Sequence, residues 1–159
     1  MFTASTSKHE RELHEQILDS GIRHIFCHIC REQNLNLPFW SRIPMGDPGI
    51  VSFGHEVDID TAIKFFGERC IIAGNINPAV IHLGTPDQIY TLCREALLKG
   101  ERSPLGYILM PGCGVPPKAP PYHVFMVKRR PKNLNGMSEE SSCETTLQKN
   151  EYQIITSTI

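Results

Sequence analysis

An α/β fold built on a parallel sheet is the class that the sequence predicts, and two observations carry it. Short apolar runs alternate four times with segments of helical pattern along the first 130 residues. Parallel strands need a crossover between neighbours, and a helix is the usual one. The helical segments also carry their own start and stop signals, the clearest being Thr85-Pro86-Asp87 before one helix and Gly100 after it.

The elements follow in order. Ser7–Ser20 places Leu13, Ile17 and Leu18 on one stripe, and Gly21 stops it, which predicts an amphipathic helix. Ile22–Cys30 is short and apolar enough for a buried strand. Arg31–Gly49, with three prolines and two glycines, reads as a long loop held down by Phe39 and Trp40. Ile50–Val57 is a second strand. Asp58 and Asp60 can cap the short helix that follows at Thr61–Gly67. Cys70–Ile76 is a third strand, Pro86–Lys99 a helix, and Leu105–Met110 a fourth strand running into Pro111-Gly112-Cys113-Gly114. Tyr122–Arg130 reads as a last helix. Residues 1–130 therefore form the folded unit. Residues 131–159 carry few apolar side chains and are expected to be a disordered tail. The closing stretch 152–159 has strand character without an assigned place.

Composition narrows the function classes. Sixteen Lys and Arg against seventeen Asp and Glu give a formal net charge of -1. Such a balance offers no basic surface for nucleic acid and no bulk attraction to an anionic membrane. The apolar runs fall far short of the roughly 20 residues that span a bilayer. Met1–Arg11 is polar and lacks a signal-peptide core, so a cytoplasmic setting is expected. Six cysteines in that setting are expected reduced, which argues against a disulfide scaffold and leaves metal ligation open.

Alternation along a strand puts His24, Phe26, His28 and Cys30 on one face and Ile25, Cys27 and Ile29 on the other. Cys27 and Cys30 then point apart and cannot chelate together, whereas His28 and Cys30 can converge. Ligands in parallel α/β folds gather at the C-terminal ends of strands. Cys30, His55, Asn75 and Cys113 all fall near such ends and should share one rim. A histidine and two cysteines form a soft donor set suited to zinc, and three protein ligands leave a fourth position open. Zinc there would favour the thiolate of a bound substrate thiol. His28 alone is more often a core histidine, and Cys113 alone a small buried hydrophobe; together with Cys30 they favour ligation. Asn75 holds backbone at a strand end more readily than it touches substrate, by about two to one. His55 is a rim residue with a substrate-binding role as the alternative.

These segments carry a resemblance. The stretches 21–30, 57–97 and 106–120, with GNINP, GTP and PGCG at their spacings, resemble the uroporphyrinogen decarboxylase superfamily. Within it they look most like the zinc-containing, corrinoid-dependent methyltransferases typified by methylcobamide:coenzyme M methyltransferases. The resemblance implies a TIM (β/α)8 barrel of which this chain supplies about four βα units, resembling strands five to eight. It implies zinc on His28, Cys30 and Cys113. It implies a methyl group passed from methylcobamide on a partner corrinoid protein to a small thiol. The decarboxylase branch typically carries His where Cys113 stands here. Four units leave two sheet edges and one apolar face uncovered, so the chain is expected to be a truncated product or to need a second chain to complete the barrel. The alternatives are a tetrapyrrole decarboxylase of porphyrin biosynthesis and an inactive half-barrel remnant.

Overall fold

The structure, a computed structural model, describes residues 4–128. Four strands, β1 (Phe26–Ile29), β2 (Gly49–Phe53), β3 (Cys70–Ile76) and β4 (Tyr107–Pro111), form one sheet in the order β1-β2-β3-β4. Every neighbouring pair is parallel, as the alternation predicts. Among the described residues six α-helices accompany the sheet: α1 (Ala4–Asp19), α2 (Leu37–Trp40), α3 (Ile59–Phe66), α4 (Pro78–Leu83), α5 (Pro86–Gly100) and α6 (Pro121–Lys128). Four consecutive parallel strands with flanking helices make a partial TIM-barrel unit. No helix among the described residues is long and apolar enough to cross a membrane.

Register sorts the side chains into two faces. Cys27, Ile29, Val51, Phe53, Cys70 and Ile72 lie on the face that packs against Leu37, Ala62 and Phe66 of the helices. Phe53 and Phe66 meet with ring centroids 5.3 Å apart, tilted by 56°, a pairing worth about 0.5–1.5 kcal/mol beyond burial. Ile76 continues that face into a second cluster with Ile59, Ile81, Ile89, Cys93 and Ala96. Cys27, Cys70 and Cys93 are thus core residues. The opposite face carries Phe26, His28, Ile50, Ser52, Ile71, Ala73 and Asn75. Phe26 there remains half exposed, at 51%.

Local chemistry explains the helix starts. The Asp58 carboxylate accepts from the N–H groups of Asp60 and Thr61. Thr85 and Gln88 form a reciprocal capping box with Pro86 just inside. Asn77 accepts from the Ala79 N–H and opens α4.

Several boundaries differ from expectation. Residues 31–49 are not all loop: a 3-10 turn, Asn34–Asn36, leads into α2. The anchor is Leu37, fully buried, with Trp40 packed beside it; Phe39 is 40% exposed. The first strand is shorter than expected because His24 bridges in antiparallel fashion to Gly46 instead. The second ends at Phe53, and residues 54–57 turn toward α3. The helix α4 has no counterpart in the apolar pattern, for its six residues lie between two proline-marked starts. The expected tail at 131–159 lies outside the described residues.

Candidate metal centre

Strand β1 delivers two of the three expected ligands. His28 leaves it on the face opposite the helices, and Cys30 follows its last residue. Cys113 arrives from the other edge of the sheet, two residues after β4 ends. Strands β2 and β3 lie between β1 and β4, so the segment after β4 must pass over their C-terminal ends.

Gly112 makes this passage. Its N–H donates to the Ile76 carbonyl at 2.8 Å, extending the β3–β4 ladder by one bond. A β-carbon here would lie 2.9 Å from the His55 nitrogen, 3.2 Å from the Gly54 carbonyl carbon and 3.3 Å from that of Asn75. The chain can rest directly on β2 and β3 because Gly112 has no side chain. Neither Gly112 nor Gly114 has a positive φ. What the passage requires is close approach at Gly112 alone, since a β-carbon at Gly114 would meet nothing within 4 Å.

One donor atom from each of His28, Cys30 and Cys113 lies within 4.8 Å of the others. The two sulfur atoms are 3.5 Å apart. Tetrahedral zinc with bonds of about 2.3 Å to sulfur would set them about 3.8 Å apart. The donor set and its spacing therefore fit zinc with an adjustment of a few tenths of an ångström between the sulfurs. Both thiols are exposed, so a fourth position can be reached from solvent.

The surroundings of these donors are specific. His28 Nδ1 lies 2.7 Å from the hydroxyl of Ser52, its register partner on β2. Arg31 has φ 64°, a left-handed backbone uncommon for arginine. The Cys30 thiol is pushed up chiefly by its shared hydrogen bond with Cys113, then by partial desolvation and the neighbouring sulfur's charge; the backbone N–H and the charge of Arg31 act in the opposite sense. By contrast, burial pushes the thiols of Cys27 and Cys93 up to about 11, which leaves them protonated and unreactive at neutral pH.

Asn75 and His55, for which substrate contact is the alternative reading, fall elsewhere on the rim, and Asn75 holds backbone as its main reading expects. The Asn75 amide donates to the Val57 carbonyl at 2.5 Å and ties the end of β3 to the turn before α3. His55 is paired with Glu56 at 3.5 Å. Both line a cleft of about 380 Å³ with Asp58, Asn77, Glu95 and Lys99, and none of the three metal-type donors lines it. Ser52 and Arg31 are the residues whose part in the site was not legible beforehand. Only the isolated polar residue in the apolar run Gly49–Phe53 hinted at Ser52.

Comparison with known families gives one finding. The family model described as Uroporphyrinogen decarboxylase (URO-D) matches residues 1–132. No curated protein matches the chain.

Proposed function

The chain belongs to the uroporphyrinogen decarboxylase family, and from that premise we propose that it carries the metal centre of a zinc-dependent methyltransferase of that family. The methyl group would pass from methylcobamide on a corrinoid protein to the sulfur of a small thiol: the cobalt–carbon bond would break with its electron pair kept by the cobamide, the sulfur–carbon bond would form, and the thiol proton would leave to solvent. One observation supports this reading above the others: an imidazole and two thiols, 83 positions apart at the extremes of the sulfur pair, converge within 4.8 Å on one end of the sheet.

Zinc held there would favour the acceptor's thiolate at neutral pH. The protein's own part is to bind and orient. Cys30 and Cys113 supply two anionic donors, His28 a neutral one, and the exposed side of the set admits the acceptor. Gly112 seats the segment carrying Cys113 on the strand ends. In this reading the opposite wall of the cup, with the docking surface for the corrinoid protein, comes from the other half of a barrel on a second chain.

Metal analysis of the full chain, purified under reducing conditions, is the test. One zinc per chain in wild type, lost in Cys113→Ser, supports the reading. A well-folded, metal-free wild type would overturn it. Decarboxylation of a porphyrinogen by such a metal-free protein would point to the tetrapyrrole chemistry instead, and a metal-free protein without any activity to an inactive remnant.

A further inference from the structure

The strand β2 reads Gly49-Ile50-Val51-Ser52-Phe53. Its one polar side chain is only 1% exposed. Removing a hydroxyl from water without a partner costs about 1–3 kcal/mol, so a serine at the centre of this strand calls for a compensating bond. Parallel pairing places Ser52 directly opposite His28, on the same face of the sheet. The bond between Ser52 Oγ and His28 Nδ1 is 2.7 Å long.

We propose that Ser52 is a positioning residue that fixes the His28 ring so that Nε2 faces the two thiols. The inference rests on the metal reading above. Its chemistry is simple. An imidazole can offer a lone pair from either nitrogen, and a hydroxyl can either accept from Nδ1–H or donate to Nδ1. A metal at Nε2 selects the first arrangement, because the ring proton must then sit on Nδ1, where Ser52 Oγ accepts it. The hydroxyl therefore stabilises the ligating tautomer and restricts rotation of the ring. His28 is an exposed residue, and its bond to a buried partner on the neighbouring strand supplies the restraint. Outer partners of ligating histidines commonly do this, and their loss typically weakens metal binding about 10–100-fold.

Cobalt(II) titration of the reduced full chain, followed by absorbance, tests the inference. Wild type is expected to bind one cobalt. Ser52→Ala, which keeps the shape of the strand, should weaken binding 10-fold or more. Ser52→Thr, which keeps the hydroxyl, should restore most of the loss. A double-mutant cycle separates positioning from a general structural effect. If Ser52 acts through the ring, Ser52→Ala adds nothing once His28 is already Ala; a structural role would add its full effect in both backgrounds. The metal-free thermal midpoint of Ser52→Ala, compared with wild type, checks that the variant is folded. Wild-type affinity in Ser52→Ala, or additive losses in the cycle, would overturn the inference while leaving the metal site standing. A wild type that binds no cobalt would instead overturn the metal reading, and the positioning role with it.

Discussion

Adding one methyl group at Gly112 tests whether close approach to the sheet is what brings Cys113 to Cys30. In Gly112→Ala the new β-carbon would lie 2.9 Å from the His55 nitrogen, 3.2 Å from the Gly54 carbonyl carbon and 3.3 Å from that of Asn75. All three are backbone atoms in or at the ends of strands, and none can rotate away. Attractive contact between nonbonded carbons begins near 3.5 Å, so the segment must rise by about half an ångström. Overpacking of this kind costs about 1–3 kcal/mol. Ligand distances in metal sites are tolerant to only about 0.2 Å, so part of that cost should fall on metal binding. With about half of it on metal binding, at 1.4 kcal/mol per tenfold, a loss of roughly 2- to 10-fold in zinc or cobalt affinity is expected. Urea unfolding of the metal-free chain should show the remainder as lost stability. Gly114→Ala is the internal control, because a β-carbon there meets nothing within 4 Å; its stability and metal affinity should stay within about 0.5 kcal/mol of wild type. Equal behaviour of the two variants would refute the reasoning.

Three further outcomes are expected. Arg31 sits at φ 64°, so Arg31→Gly should raise stability in urea by about 0.5–1 kcal/mol, and Arg31→Val should lower it; stabilisation by valine would contradict the left-handed conformation. The Asp58 carboxyl is pushed up by partial burial but held lower overall by its bond and charge interaction with Lys99 and by the N–H groups of Thr61 and Asp60. A carboxyl lowered on folding contributes stability above its unfolded pKa and loses it as pH falls through the folded value. Stability should therefore decline below about pH 4, and less steeply in Asp58→Asn, which keeps the cap. Both partners of the pair are 40% or more exposed, so the difference should be no more than about 0.5–1 kcal/mol. Finally, the two sulfurs 3.5 Å apart should exchange with oxidised glutathione to form a Cys30–Cys113 disulfide in metal-free protein, two glutathione thiols being released. Peptide mapping should find Cys27, Cys70 and Cys93 still reduced, and bound zinc should block the reaction; a bridge formed at equal rate with zinc present would count against ligation by these two thiols.

The fold was legible where local chemistry and tertiary structure agree. The run Cys70–Ile76 is β-branched and apolar, and it is a strand over those same residues. Thr85, Pro86 and Gln88 specify a helix start without help from the rest of the chain. Legibility failed where distant contacts decide. Nothing in Arg31–Gly49 distinguishes Leu37 from Leu35, yet the first is fully buried and the second 90% exposed. That outcome depends on where β1, β2 and α3 present a surface, which no local periodicity reports. The four residues of α2 are likewise too few to show a helical stripe.

The site divides along the same line. His28, Cys30 and Cys113 could be found because their donor chemistry is written in the residue types and because strand ends in a parallel sheet converge. Ser52 could not, because its significance is a matter of register: it matters by standing opposite His28, 24 positions earlier. A shift of one residue in the β1–β2 pairing would put Val51 or Phe53 opposite His28 and turn Ser52 to the helix-facing side. The register itself is set by the helix-facing side, where Cys27 and Ile29 meet Val51 and Phe53 in the core. Packing on one face of the sheet thereby determines the hydrogen bond on the other. A mutation that slips or loosens that core, such as Phe53→Ala, should then disturb the imidazole without touching it. Burial predicts a loss of about 3–5 kcal/mol in stability. Whatever folded population survives should bind cobalt more weakly than wild type, in parallel with the loss of the His28–Ser52 bond. Wild-type affinity in that folded fraction would mean that the ring is held by something other than register.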